Sequence, residues 1–345
     1  MNKTFLYEML STPSVSGDEI ALQKKVYNYM KDQADYMITD ANGNVISVLN
    51  PESKVKVLLT GHIDEIGLFV SEITADGFLK VRNAGGIYTT TYLGHKVRIN
   101  TKNGVLMGAV VNTRDLSSKK DLEASDLSID IGASSMEEAK QVVQVGDTIT
   151  FDTDYCELLG DKLCGRALDD RIGAFVVMEA LKRSKEKGCK IGVYSASTVG
   201  EETTKRGAYM AASQVNPTIS IAVDVTYATD YPGVTHDRDV VLGKGPVLCY
   251  APLVNRTLNQ MLIDCAKSLN MNIQFEAESY RTGTDADIVH FTGTGVPVCL
   301  VSIPLRYMHN PVETGSFKDM EDCIELLSTF LCSLDENFQL NPFQS

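Results

Sequence analysis

Several polar clusters interrupt otherwise apolar stretches of this chain, and each carries residue types that bind cations or move protons. GHIDEIG (61–67) closes the apolar run KVKVLLT. His62 and Asp64 lie two apart, so on an extended backbone they point to the same side, close enough for the carboxylate to orient the imidazole. Glu65 beside them reads as a solvated turn residue. ALDDRIG (167–173) sets Asp169 and Asp170 before an apolar helix. Such a pair can simply cap the helix, or one acid can brace the turn while the other bridges two metal ions. In STVGEETTKRGA (197–208) the adjacent Glu201 and Glu202 diverge. One can ligate a metal while the other reaches a water as general base. Asp224, in IAVDVT, is read as terminating an apolar strand, where an unpaired charge is costly, and His309 follows VCLVSIP as a natural nitrogen ligand. Jointly His62, Asp169, Glu202, Asp224 and His309 make a mixed nitrogen and oxygen donor set suited to zinc, cobalt or manganese. A shared carboxylate would hold two ions about 3.5–4 Å apart, as co-catalytic hydrolases do. His95, His236 and His290 read as structural or solvent-facing.

Ligands collect outside the carboxyl ends of strands in open α/β sheets, so the elements that carry these residues matter as much as their types. VISVLN (45–50) and KVKVLLTGHI (54–63) read as strands, the second buried on both faces. Before them, Ser16 or Asp18 can cap a helix carrying Ile20, Leu22, Val26, Tyr29 and Met30. After Gly67 come short β-like pieces separated by turns, LFVSEIT, FLKVRN, KVRINT, VLMGAVVN and DTITFDT, the pattern of a small barrel or sandwich. Residues 115–126 read as a loop and 134–142 as a short capped helix. From about residue 163 strands and helices alternate: helix from 169 to 187, strand 191–199, helix 203–214, strand 219–225, helix 255–270, strands 272–279 and 296–304, and a last helix 317–334. The predicted fold is α/β, a mixed, mostly parallel sheet flanked by helices, in a discontinuous catalytic domain (1–67 and 163–345) with an inserted all-β domain (68–162).

Composition narrows the partners. The 345 residues carry 32 Lys and Arg against 45 Asp and Glu, a formal net charge of −13, which argues against a nucleic-acid partner. No apolar run approaches the roughly 18 residues of a membrane span, and the N-terminal stretch lacks the order of a signal peptide, so cytoplasm is the expected location. The 8 Cys lie from Cys156 onward without C-x-x-C spacing and read as reduced, mostly buried thiols.

GHIDEIG, ALDDRIG, GEE with RGA, AVDV, GTDAD and IPLRYMH, in that order, resemble the co-catalytic metallo-aminopeptidases of peptidase family 42, over essentially the whole chain. The resemblance implies a zinc-peptidase-like fold and two divalent ions per subunit. It places His62 and Asp224 on one ion, Glu202 and His309 on the other, Asp169 between them, and Glu201 as the general base that activates the attacking water. It also implies short peptide substrates and homo-oligomers, from dimers up to twelve-subunit shells, in which the β insert helps assembly and shapes the cleft. The family's usual Gln before the two Glu, Gly two residues after them and Ser after the last His are here Gly200, Thr204 and Asn310. The same cage could serve an N-acyl amino acid deacylase, or persist in a catalytically dead metal-binding assembly protein. A glycosidase is disfavoured, because adjacent Glu201 and Glu202 cannot readily face each other across a sugar and Trp is absent.

Overall fold

From the strand Lys56–His62, Val57 and Leu59 pack into one apolar cluster and Leu58 into another, so both faces of this strand are covered. It is therefore central. The computed structural model describes residues 1–234, 239–340 and 343. In it, eight strands form one sheet in the order Tyr36–Thr39, Val45–Leu49, Gly192–Thr198, Lys56–His62, Ile219–Tyr227, Val298–Leu305, Val247–Tyr250 and Gln274–Ala277. The four strands from Gly192–Thr198 to Val298–Leu305 run parallel, and the outer pairings add antiparallel contacts, so the sheet is mixed as expected. Phe175 and Val176 of the helix Leu168–Glu186 cover one face together with Leu326 and Phe330 of Phe317–Ser333. Ala208, Ala211 and Ala212 of Arg206–Val215 cover the other. Small side chains there let that helix lie close to the sheet.

A closed six-stranded barrel is built from Gly67–Ile73, Leu79–Ala84, Ser128–Asp130, Gly104–Val110, Lys96–Thr101 and Thr148–Phe151. Leu68, Val70, Leu79, Val81, Val97, Ile99, Ile129 and Ile149 fill its own core, with the period of two expected of strands. The three-residue strand Ser128–Asp130 is too short to show alternation in the sequence, and pairing on both sides reveals it.

Three expectations are corrected and one further sheet is added. The helix Ile20–Met30 is capped by Glu19 without a side-chain bond. Asp18 instead accepts hydrogen bonds from Asn100 (3.1 Å) and Thr148 (2.6 Å) of the barrel, where it bonds to two donors at once. Residues 115–126 are not all loop: they hold part of the helix Arg114–Ser118 and a 3-10 turn, Ala124–Asp126. The helix expected over 203–214 is two helices, Glu201–Thr204 and Arg206–Val215, broken where Lys205 turns left-handed at φ 55°. Finally, a three-stranded sheet absent from the sequence reading, Cys156–Leu158, Lys162–Gly165 and Glu313–Ser316, pairs Gly165 with Glu313. All eight cysteines are free thiols, four of them buried.

Candidate metal centre

Gly61 is where the sheet and the helix Leu168–Glu186 come closest: a β-carbon there would lie 2.6 Å from the backbone nitrogen of Ala174. Only a glycine admits that approach, and it delivers the start of the helix to His62. The register carries the other groups to the same end of the sheet, pairing Thr198 with His62 and Asp224 with Ser302. Glu201 and Glu202 follow the first of these strands, and His309 follows Val298–Leu305.

Asp169 lies in the middle. One carboxylate oxygen is 3.2 Å from His62 Nε2, and the other is 3.3 Å from His309 Nε2. Asp224 Oδ1 and Glu201 Oε2 stand 4.0 and 3.9 Å from His62 Nε2, and Glu202 Oε2 is 3.7 Å from His309 Nε2. All five candidate ligands and Glu201 thus border one cavity of about 260 Å³. Donor atoms of His62, Asp169 and Glu202 lie within 4.8 Å of one another, as do those of His62, Asp170 and Asp224.

The two adjacent-acid pairs divide. Asp170 braces the turn, accepting the His62 and Gly173 amides at 3.1 Å each, while Asp169 faces the histidines. Among the described residues neither Glu201 Oε1 nor Glu202 Oε1 meets hydrogen-bond geometry with a protein partner, but Glu201 Oε1 has the Lys205 ammonium as an ion-pair partner at 2.7 Å, whereas Glu202 Oε1 is buried without a cation of the protein beside it other than the imidazoles. Asp64 orients the imidazole, with its carbonyl 3.1 Å and its carboxylate 3.5 Å from His62 Nδ1. The same carboxylate accepts the Glu201 and Glu202 amides at 3.0 and 3.2 Å, so it holds both glutamates by their backbone.

The charges suit a cation. Burial and then Asp169 push Glu202 well above the ordinary carboxyl range, and burial raises Asp224 as strongly despite His62. Glu201 is raised by burial, which His62 and Lys205 only partly offset. Burial would lower His62, but Asp169, Asp64 and the other acids override it and raise it well above its usual value. His309 is pushed up to about 10 against its burial, chiefly by Asp169. Asp169 goes the other way: burial would raise it, but the two imidazoles hold it well below the ordinary carboxyl range. A buried cluster that drives Glu201, Glu202 and Asp224 toward neutrality and its imidazoles toward charge is short of positive charge, and dications would supply it. The residues therefore fit a metal centre on the chemistry of the donor set and on the unpartnered Glu202 oxygen.

Some contributing residues escaped the sequence reading. Glu313 accepts the His309 amide at 2.7 Å and the Asp169 amide at 3.1 Å, tying the two together. Asp285, in GTDAD, accepts from Thr198 at 2.7 Å and is pushed up to about 7 by burial and by Glu201. An acid at a strand end is the signal that found Asp224; Glu313 lies in a strand that the sequence does not announce. The barrel's Gly85-Gly86 turn also reaches the site: β-carbons there would lie 3.3 Å from Glu202 Cβ and 3.4 Å from the His309 ring. Gly200 has φ 67°, in the left-handed region that favours glycine. His95 is exposed and His290 half-buried against Phe291, away from the centre, while His236 lies outside the described residues.

Glu65 is not solvated. It is buried, pairing with Arg166 and with Arg171 Nη2 at 2.5 Å, and it accepts the Ser14 amide at 3.0 Å. Burial would raise its carboxyl, but the two guanidiniums hold it below the ordinary value of 4.5. Glu65→Ala leaves two buried arginines uncompensated and is expected to cost about 3–5 kcal/mol, read by urea denaturation. A carboxyl depressed on folding stabilises above its unfolded value and ceases to do so as pH falls through its folded one. The gap between wild type and variant should therefore be full at neutral pH and narrow only below about pH 4. A gap under 1 kcal/mol at neutral pH would contradict the assignment.

Residues 43–326 match the M42 glutamyl aminopeptidase family. The chain is 37% identical to a putative aminopeptidase of Acetivibrio thermocellus, over 92% of this chain and 94% of that protein. It is 33% identical to the lysyl aminopeptidase of Pyrococcus furiosus, over 94% and 95%. Its fold superposes on the TET aminopeptidase of a marine-sediment thaumarchaeote with a TM-score of 0.91 at 33% identity, covering 96% of each chain. The Pyrococcus horikoshii TET1 peptidase, described as assembling into a tetrahedron or a large octahedral shell, superposes at 0.85 with 31% identity, over 96% and 99%. Among the described residues no helix is long and apolar enough to cross a membrane.

Proposed function

The chain belongs to the M42 glutamyl aminopeptidase family and is a peptide-bond hydrolase, and from that premise we propose that it removes N-terminal residues from short peptides at a pair of divalent ions. The observation that carries this reading is Asp169, whose two carboxylate oxygens each face a different histidine. His62 and Asp224 would hold one ion, Glu202 and His309 the other, and Asp169 would bridge. Zinc suits this mixed donor set best, with cobalt or manganese as substitutes. When bound, the ions supply Lewis acidity toward the peptide carbonyl and lower the pKa of water.

The chain's own residues do the rest. Asp64 fixes the tautomer and plane of His62. Glu201 Oε2 faces the cavity, takes the proton of the attacking water and returns it to the leaving amine. The free α-amino group of the substrate is a cation and is attracted by the acids that line the cleft, which favours cleavage at the N-terminus.

We assign 1–67 and 163–345 to the catalytic domain and 68–162 to the insert, whose last complete strand, Cys156–Leu158, lies outside the barrel and pairs through Lys162–Gly165 with Glu313–Ser316. The insert's contact with Glu202 and His309 supports a share in shaping the cleft. The assembly of the TET1 relative supports a homo-oligomer, and the insert is our proposal for the part that helps build it. Cytoplasm is the location consistent with free thiols. The test is a panel of amino-acyl anilides assayed with zinc, cobalt or manganese, before and after chelation. Turnover should vanish with the chelator, return with metal and fail on N-acetylated anilides; release of acetate from the acetylated forms, with the anilide bond left intact, would replace this reading by a deacylase.

A further inference from the structure

Lys205 stands apart from the cage yet touches it. An exposed lysine four residues from a glutamate in a regular helix contributes only about 0.3–0.5 kcal/mol. Here the spacing is not that of a regular helix. The backbone turns left-handed at Lys205 (φ 55°), between the helices Glu201–Thr204 and Arg206–Val215. A left-handed conformation costs a residue with a β-carbon roughly 1–2 kcal/mol and is ordinarily given to glycine or asparagine. With this turn the half-buried lysine side chain reaches back to the site, its ammonium 2.7 Å from Glu201 Oε1 and 2.7 Å from the Gly283 carbonyl. Glu201 Oε2 is left facing His62 Nε2 at 3.9 Å.

The two glutamates are thus treated differently. Asp64 holds both backbones, but only Glu201 has its carboxylate pinned, and the pin is anchored on a loop that itself lines the cavity. We propose that Lys205 is a positioning residue for Glu201, clamping one carboxylate oxygen against the Gly283 carbonyl so that the other is held toward the attacking water. The proposal rests on Glu201 being the general base. A base must sit within hydrogen-bond reach of the proton that it takes, and a misplacement of about 1 Å can cost about a hundredfold in rate.

The test uses the metal-loaded full chain and the amino-acyl anilide that wild type turns over fastest. Lys205→Met keeps the length and removes the charge, and Lys205→Arg restores it. Lys205→Met should lower kcat about 10- to 100-fold with KM within about threefold and metal content per subunit unchanged, while Lys205→Arg keeps kcat within about threefold of wild type. In a Glu201→Gln background, adding Lys205→Met should change kcat by less than about twofold, because the group that it positions is already gone. Wild-type kcat in Lys205→Met overturns the proposal, as does a parallel loss of metal, equal damage from Lys205→Arg, or an undiminished effect in the Glu201→Gln background. If Lys205→Met does not fold, Lys205→Gln is read in its place by the same criteria. Full activity of Glu201→Gln by itself would instead overturn the assignment of the base, so the two failures are told apart.

Discussion

Glu201→Gln should lower turnover by about a thousandfold while the protein keeps its full complement of metal. The amide matches the carboxylate in size, keeps the backbone bond from Glu201 to Asp64 at 3.0 Å and removes only the capacity to accept a proton. General-base catalysis contributes about 10²- to 10⁴-fold, which sets the size of the loss. KM should move little, because Glu201 acts on the water in the transition state and is not placed to hold the peptide. Metal analysis of the purified variant beside steady-state kinetics decides the matter. Retained turnover would mean that another group is the base, and lost metal would mean that Glu201 serves as a ligand.

Asp169→Ala should do damage of at least the same size by a different route. Among the described residues Asp169 is the one carboxylate within 3.3 Å of both histidines, so its removal takes a donor from both halves of the cage. The remaining donors, His62 with Asp224 and Glu202 with His309, are too few to close either half. We expect metal content to fall from two ions to at most one per subunit and activity to fall by about a thousandfold or more. Melting curves in the presence of chelator, where the ions contribute nothing, separate this from misfolding. An Asp169→Ala protein that still bound two ions would remove the bridging role.

The two variants also probe different kinds of legibility. Adjacent acids after an apolar run announced both places, yet neither pair could be resolved from its own neighbours in the chain. Asp170, not Asp169, braces the turn because the His62 amide, 108 residues away, is there to be accepted. Glu201 is distinguished from Glu202 by Lys205, which reaches it only because the backbone turns left-handed in the middle of a segment whose composition reads as one helix. Glu65 is the plainest case. Beside Asp64 at a strand end it looks solvated, and its partners Arg166 and Arg171 lie 101 and 106 residues further on.

By itself, then, the sequence determined the alternation of strands and helices, the intervening barrel strands of ordinary length, and the polar residues at the ends of apolar runs. These are properties of neighbouring residues: hydrophobic period, turn chemistry, and the high cost of an acid beside buried strands. The tertiary structure alone decided what Asp170 braces, which glutamate Lys205 holds, where Glu313 acts, and that Glu65 is a buried counter-ion. Those outcomes depend on hydrogen bonds and ion pairs between segments far apart in the chain, or on a single backbone turn, and neither leaves a period or a composition to be read.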